Sequence, residues 1–136
     1  ITVKSSSLHA CTIHGPLIPR LIDEIPMIAV LACFASGTTI IRDAAELKVK
    51  ESNRIDSIVT NLQAMGADIQ PTDDGMIIRG GRPLHGAVID SQMDHRIAMS
   101  FAVCALAAEG VTTIHDDACV RISYPDFFDT LHLLNR

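Results

Sequence analysis

The fold is decided by a stretch that occurs twice, as GTTIIRDA at residues 37–44 and as GVTTIHDDA at residues 110–118. The two copies lie about 73 residues apart, a spacing that is typical of repeated supersecondary units. In each copy a glycine follows an apolar run and precedes β-branched residues, which predicts the end of a helix and the start of a strand. We therefore expect one structural unit to be built twice.

The residues around each copy predict the element order βαβαββ, complete in the first unit and incomplete in the second. The first unit, about residues 1–80, is predicted to contain strands at 1–7, 11–14 and 38–42, an apolar helix ending at Gly37, a loop over 43–50, an amphipathic helix over 52–65 with Ser52 as its N-cap, and a hairpin of 67–70 with 76–79. The second, about residues 81–136, is predicted to contain strands at 87–90 and 112–115, an apolar helix over 94–108 and an amphipathic helix over 123–134.

The first helix of each unit is apolar all round, which predicts burial on every side. Only the second helix of each unit is apolar on one side alone, so it is left to face solvent or a sheet edge. This pattern indicates an α/β (α+β) fold in which repeated units gather around buried helices, with the sheets outside.

Composition excludes several classes of protein. The chain has 136 residues, 48% of them hydrophobic, and a formal net charge of −5 with only 4% aromatic residues, which argues against a nucleic-acid binder. The longest apolar runs, 25–35 and 97–108, are shorter than the roughly 18 residues of a membrane-spanning helix, so we expect no membrane association.

The four cysteines show no CxxC spacing, so we expect buried, reduced thiols and a cytoplasmic protein. The chain begins Ile-Thr-Val-Lys, without an initiator methionine or a signal-peptide pattern, and we expect a piece of a longer protein.

The stretch LKVKESNR, residues 47–54, concentrates charge where a loop enters a predicted helix. A helix N-terminus attracts anions, because its backbone N–H groups are unpaired and the helix dipole is positive there. Charge density alone is also typical of a solvated helix entry. The alternative is an anion site in which Glu51 is held among Lys50 and Arg54 for proton transfer.

Two further acidic residues, Asp23 and Asp94, stand just ahead of the two apolar helices, and by position alone both are predicted to be N-caps. Arg96 does not fit a capping role, because a cation in the first turn opposes the helix dipole. We expect Arg96 either to pair with an acid or to meet an anionic ligand.

Four motifs occur together, namely LIDEIP at 21–26, RDAAELKVKESNR at 42–54, DHRIAM at 94–99 and SYPDFF at 123–128. With these motifs in this order, the chain resembles the C-terminal part of the 5-enolpyruvylshikimate-3-phosphate synthase family over most of its length. The resemblance implies a monomeric two-domain enzyme, each domain built from three βαβαββ units in an inside-out α/β barrel, with the active site in the cleft between domains. This chain would supply about two of the three units of the C-terminal domain and would be inactive without the N-terminal half.

The family resemblance also implies a reaction, the transfer of the enolpyruvyl group of phosphoenolpyruvate to the 5-hydroxyl of shikimate 3-phosphate. This transferase step belongs to the shikimate pathway of aromatic amino-acid biosynthesis and proceeds through a tetrahedral intermediate that loses phosphate. By resemblance, Asp23 lies at the 5-hydroxyl, Glu51 is the proton donor and acceptor at the methylene carbon, and Lys50 lies beside Asp23 on the shikimate phosphate side. Arg54 and Arg96 resemble the pair that binds phosphoenolpyruvate, work that suits a planar guanidinium.

The remaining residues of these motifs are predicted to be structural. Asp94 is expected to be a cap or to orient Arg96, and His95 to have no chemical role. Some family members carry a lysine where this chain has Ile122. No metal and no organic cofactor is predicted, because the other histidines are isolated and lack metal-ligand spacing.

Two other functions stay open at this level. One is enolpyruvyl transfer to a UDP-sugar, which fits the motifs less well because the related enzymes use a loop cysteine as the acid. The other is a non-catalytic α/β repeat module that binds phosphorylated metabolites.

Overall fold

The computed structural model describes residues 2–135 and shows a mixed α/β fold. Its first elements are β1 (Thr12–Ile13), α1 (Ile18–Leu21), α2 (Ile25–Phe34), β2 (Thr38–Ile41), α3 (Arg54–Ala64), β3 (Asp68–Thr72) and β4 (Gly75–Arg79). They are followed by β5 (Val88–Asp90), α4 (His95–Ala105), β6 (Thr113–His115) and α5 (Phe127–Leu134). Short 3-10 helices occupy Gly15–Leu17, Ala45–Val49 and Asp117–Ile122. Apart from the short α1, the order to β4 is βαβαββ, and β5 to α5 repeats its first four elements.

The strands form two sheets that repeat the same parallel pairing. In the larger sheet the order is β1-β2-β4-β3, with β1 parallel to β2 and the β3-β4 hairpin antiparallel. In the smaller sheet β5 lies parallel to β6. A parallel pair needs a crossover connection, which α2 provides in the first sheet and α4 in the second. The helix inserted between paired strands therefore occupies the same place in both units.

One hydrophobic core joins the two units. Its buried side chains come from α2, α3 and α4 and from the inner faces of the strands, and include Ile25, Val30, Ile58, Leu62 and Phe101. Ala98, Cys119 and Val120 form a smaller cluster between α4 and the last 3-10 helix. The three helices thus share one buried centre, which brings their N-terminal ends together.

The apolar helices are not covered on every side, contrary to the expectation from their sequences. Leu31 and Phe34 of α2 and Leu106 at the end of α4 are exposed. No helix within residues 2–135 is long and apolar enough to span a membrane.

The four cysteines are free thiols. Cys33, Cys104 and Cys119 are buried as predicted, whereas Cys11 is exposed. Burial raises the pKa of Cys33 to about 12 and that of Cys104 to about 11, so both thiols stay protonated and pack as small apolar side chains.

Several predicted element boundaries were wrong. Residues 2–7, the described part of the predicted first strand, form no strand, and Ile1 lies outside the described residues. This segment is exposed, so its alternating pattern buries no face against a neighbour. The predicted loop over 43–50 contains the 3-10 helix Ala45–Val49. The last helix begins at Phe127 instead of 123, and a separate 3-10 helix occupies Asp117–Ile122 ahead of it.

Candidate active site

The N-terminal ends of α2, α3 and α4 meet at Arg54, the first residue of α3. Asn53 caps this helix, since its side chain accepts a hydrogen bond from the Asp56 amide at 3.4 Å. The predicted cap, Ser52, is therefore wrong by one residue. The Ser52 hydroxyl instead donates to Asp94 Oδ2 at 3.0 Å.

The Arg54 guanidinium binds three carboxylates. Its Nε donates to Asp94 Oδ2 at 2.8 Å, and Nη2 donates to Asp94 Oδ1 at 3.4 Å. Its Nη1 donates to Asp23 Oδ1 at 2.8 Å, and Nη2 also donates to Glu51 Oε2 at 2.6 Å. The Arg54 side chain is only 1% exposed, and a charge so deeply buried needs such partners to offset the loss of water.

Asp94 is the fully buried member of this cluster, at 0% exposure. Besides the two bonds from Arg54 and the one from Ser52, its Oδ1 accepts from the backbone amides of Arg96 at 2.9 Å and Ile97 at 3.4 Å. The prediction that Asp94 caps α4 is confirmed. Asp94 touches only the backbone of Arg96, however, and the Arg96 side chain is held by a different acid.

Asp23 does not cap a helix, contrary to the expectation from its position. The N-cap residue of α2 is Glu24, one position later, and its side chain makes no capping hydrogen bond. Asp94 is the N-cap residue of α4, so its equivalent at the start of α2 is Glu24 and not Asp23. The Asp23 side chain is 48% exposed and directs a carboxylate oxygen to Arg54 from the solvent side.

The close pairing changes the pKa of Asp23, Asp94 and Arg54. The hydrogen bond from Arg54 lowers the pKa of Asp23, against a smaller opposing effect of burial. For Asp94, burial acts to raise the pKa, but the Arg54 guanidinium outweighs it and the pKa is lowered. Burial likewise opposes the charge of Arg54, but the hydrogen bonds that Arg54 donates to Asp94 and Asp23 outweigh this effect and raise the pKa of Arg54. Asp23, Asp94 and Arg54 are thus held as ion pairs at neutral pH.

The two cations nearer the surface each have their own acidic partner. Lys50 Nζ lies 2.8 Å from Glu46 Oε1, and this hydrogen bond raises the pKa of Lys50. Arg96 Nη1 lies 3.1 Å from Glu24 Oε1, which joins the first turn of α4 to the start of α2. Arg96 is 32% exposed and can exchange this partner for another anion without entering the core.

A cavity of about 170 Å³ opens beside this cluster. Its polar and charged lining residues include Asp23, Glu24 and Arg96, and its apolar lining is formed by Met27, Met99, Val103 and Phe127. The half-exposed acid Asp23 and the partly exposed cation Arg96 therefore face the same space. A carboxylate and a guanidinium beside a cavity are suited to accept a proton and to bind an anion.

The EPSP synthase (3-phosphoshikimate 1-carboxyvinyltransferase) family model matches residues 1–131. The chain belongs to the EPSP synthase family. It is 58% identical over 134 residues to a 3-phosphoshikimate 1-carboxyvinyltransferase of Synechococcus sp. (strain JA-3-3Ab), covering 98% of this chain and 30% of that protein. It is 59% identical over 134 residues to the protein of the same name from Thermoanaerobacter sp. (strain X514), covering 98% of this chain and 32% of that protein.

A solved EPSP synthase structure from Acinetobacter baumannii superposes on this chain with a TM-score of 0.89 at 40% identity, covering 93% of this chain and 30% of that one. The chain therefore spans about 30% of the length of the family members it matches. Family membership and the mixed α/β fold follow from these matches.

In this EPSP synthase family chain, the residues predicted from the family motifs belong to three neighbouring ion-pair groups, those of Arg54, Lys50 and Arg96. Asp23, Glu51 and Arg54 are in direct contact, and Lys50 and Arg96 carry the partly exposed cations beside them. The sequence reasoning missed the partners that hold these cations, Glu46, Glu24 and the carboxylate of Asp94. The spacing of Glu46 and Lys50, four residues apart, is a signal that could have revealed the first of these pairs.

Two further expectations concern position 122 and a metal site. Ile122, the residue found where some family members carry lysine, is exposed at the end of a 3-10 helix. Within the described residues, no group of three or more His, Cys, Asp or Glu side chains is arranged to hold a metal ion.

Proposed function

We propose that this chain is part of the C-terminal domain of a 3-phosphoshikimate 1-carboxyvinyltransferase. The single observation that supports this most is the contact of one buried arginine with both proposed catalytic acids, Asp23 at 2.8 Å and Glu51 at 2.6 Å. The full-length protein would transfer the enolpyruvyl group of phosphoenolpyruvate to the 5-hydroxyl of shikimate 3-phosphate. It would act in the cytoplasm as a monomer with two domains of three βαβαββ units each, arranged as inside-out α/β barrels.

In the first step, Asp23 takes the proton of the 5-hydroxyl as its oxygen attacks C2 of phosphoenolpyruvate. Glu51, in its protonated form, donates a proton to the methylene carbon, C3, which produces the tetrahedral intermediate. In the second step Glu51 takes a proton back from C3, the carbon–carbon double bond re-forms as the C2–O bond to phosphate breaks, and phosphate leaves with the proton that Asp23 accepted. Both acids are about half exposed, so each can reach a substrate once it is displaced from Arg54.

The cations divide the binding work by their exposure. Arg96, one-third exposed beside the cavity, binds an anionic group of phosphoenolpyruvate after release from Glu24. Arg54 is buried, and a substrate anion reaches its Nη groups only by displacing Asp23 or Glu51. Lys50 serves the shikimate phosphate side once it leaves Glu46. Substrate binding therefore exchanges internal ion pairs for substrate contacts, and these exchanges also release the carboxylates that move protons.

The test is Glu51→Gln in the full-length protein, assayed by phosphate release from shikimate 3-phosphate and phosphoenolpyruvate. We expect turnover to fall by a factor on the order of 10² to 10⁴, because the amide cannot transfer the proton. Affinity for both substrates should change little, since Gln keeps the size of the side chain. Normal turnover in this variant would contradict the assignment of Glu51.

Two controls accompany this experiment. Glu109→Gln makes the same chemical change at an exposed glutamate near the end of α4 and should leave turnover unchanged. The isolated chain, residues 1–136, is the negative control, because the missing part of the protein must complete the site. Phosphate release by the isolated chain would overturn the proposal that this chain depends on the rest of the protein.

A further inference from the structure

We propose that Asp94 is a positioning residue that sets the direction of the Arg54 guanidinium, an inference that rests on the function proposed above. Neither the Arg54 side chain, 1% exposed, nor Asp94, 0% exposed, is in contact with solvent. Asp94 takes the inner edge of the guanidinium, with Oδ2 on Nε at 2.8 Å and Oδ1 on Nη2 at 3.4 Å. A two-point contact of this kind fixes the plane as well as the position of an arginine.

The other edge of Arg54 faces the proposed catalytic acids. With its inner edge held by Asp94, Nη1 points to Asp23 and the second N–H of Nη2 points to Glu51. Both of these carboxylates are about half exposed, whereas Asp94 has no route to a substrate. Asp94 therefore acts through Arg54, by holding its outward N–H groups where the substrate and the two acids meet.

Asp94 also connects Arg54 to the second cation. Its Oδ1 accepts from the Arg96 amide at 2.9 Å and so fixes the first turn of α4, from which the Arg96 side chain extends toward the cavity. One buried carboxylate thus sets the relative position of an arginine on α3 and an arginine on α4. Both arginines are proposed to bind phosphoenolpyruvate, and neither Lys50 nor Glu46 is among the residues bonded to Asp94.

Helix capping alone does not explain an aspartate at this position. Serine or asparagine caps a helix about as well, without the cost of burying a charge. The charge is accounted for by Arg54, and the Ser52 hydroxyl at 3.0 Å supports the same carboxylate oxygen that accepts from Arg54 Nε. A substitution of Asp94 can therefore keep the helix cap of α4 while it removes the charged contact with Arg54.

The test uses Asp94→Asn and Asp94→Ser in the full-length protein, since both residues can cap α4 but neither can hold Arg54 with a charge. We expect kcat/KM for phosphoenolpyruvate to fall by about tenfold to about a hundredfold, because a small misplacement of a binding group has an effect of this size. The KM for shikimate 3-phosphate should stay within about threefold of the wild-type value, because Asp94 does not contact Lys50. Equal losses for both substrates, or wild-type kinetics in both variants, would overturn the proposal.

Asp68→Asn is the matched control, because Asp68 also pairs with arginines, Arg79 at 3.2 Å and Arg82 at 3.3 Å, on the larger sheet. It should keep wild-type kinetics. A second check is the double-mutant cycle with Arg54→Lys, in which Asp94→Asn should change kcat/KM by less than about threefold. Additive effects of the two substitutions would mean that Asp94 does not act through Arg54.

An activity-independent measurement separates this inference from the proposed function. In ¹H–¹⁵N spectra of the full-length protein, the Arg54 Nε–H resonance should be protected from exchange in the wild type and lose this protection in Asp94→Ser; unchanged protection would overturn the inference. If the wild-type protein releases no phosphate, the proposed function fails and this measurement still decides the role of Asp94.

If the Asp94 variants do not fold, Ser52→Ala takes their place as the test variant. We expect it to lose two- to fivefold in kcat/KM for phosphoenolpyruvate. Unchanged kinetics in Ser52→Ala would again overturn the inference.

Discussion

The turns that lead into α2 and α4 stand at equivalent places in the two repeats and have opposite handedness. In the turn before α2, the Glu24 amide donates to the Leu21 carbonyl at 2.8 Å, and Ile22 has an ordinary right-handed φ of −54°. In the turn before α4, the Asp94 amide donates to the Ser91 carbonyl at 2.9 Å, and both central residues are left-handed, with φ of 51° at Gln92 and 59° at Met93.

This difference in backbone decides what each acid can do. The left-handed turn ends with the Asp94 carboxylate inside the protein, where it caps α4 and holds Arg54. The right-handed turn leaves Asp23 48% exposed beside the cavity, where it reaches Arg54 from outside. Two acids on one arginine thus have separate roles, one in holding the site and the other in proposed contact with substrate.

The largest expected effect is on stability. Asp94→Ala should lower the free energy of unfolding by about 3 to 5 kcal/mol, because it leaves the buried charge of Arg54 without its inner partner. Asp23→Ala should lower it by less than about 1 kcal/mol, because a half-exposed ion pair is screened by water. The measurement is urea denaturation of the two full-length variants, with Asp68→Ala as a control of similar charge change at a partly exposed pair. Equal losses of unfolding free energy in Asp23→Ala and Asp94→Ala would contradict the proposed difference between the roles of these two acids.

A smaller effect is expected in the pH dependence of stability. The lowered pKa values of Asp94 and Asp23 mean that both carboxylates bind protons more readily in the unfolded chain than in the folded one. Their contribution to stability is therefore complete above the unfolded pKa of about 4 and is lost as the pH falls through the folded pKa. Denaturation between pH 3 and pH 7 should show stability falling at the acidic end, and the fall should be shallower in Asp94→Asn and in Asp23→Asn than in the wild type. A fall of wild-type steepness in Asp94→Asn would contradict this assignment.

The smallest effect concerns the strain of the left-handed turn. Met93→Gly should raise the free energy of unfolding by about 0.5 to 1 kcal/mol, because a left-handed conformation costs a non-glycine residue about 1 to 2 kcal/mol and the entropy of glycine offsets part of the gain. Met93 is 61% exposed, so little packing is lost. Thermal unfolding of this variant and of Ile22→Gly, at the right-handed turn, provides the comparison, and Ile22→Gly should be destabilised. Loss of stability in Met93→Gly would show that its side chain has a contact that outweighs the strain.

Much of the candidate site was predictable, because its residues lie in short motifs. The positions of Glu51 and Arg54 at the entry of one helix follow from their spacing, and their contact at 2.6 Å is local. The proposed roles of Asp23, Lys50 and Arg96 came from family resemblance and stay predictions. The partners of the cations were not predicted, since Arg96 and Glu24 are 72 residues apart and no pattern in the sequence links them.

The predicted helix caps also show that long-range contacts cannot be read from a local sequence pattern. Position alone predicted caps at Ser52, Asp23 and Asp94, and only Asp94 is one. Propensity favours all three, but the Ser52 hydroxyl turns to Asp94, and Asp23 turns to Arg54. In each case a tertiary charge or hydrogen bond outweighs a local capping preference of about 1 kcal/mol.

The repeated unit and its mixed α/β character follow from local sequence signals, because hydrophobic periodicity, β-branched runs and glycines act over neighbouring residues. The dense group of charges at the start of α3 is local as well. In contrast, the burial of Arg54 and its contacts with Asp23, 31 residues away, and Asp94, 40 residues away, arise from the packing of the folded chain. Burial of a charge depends on which distant groups the packed helices bring to it, and that information exists only once α2, α3 and α4 share a core.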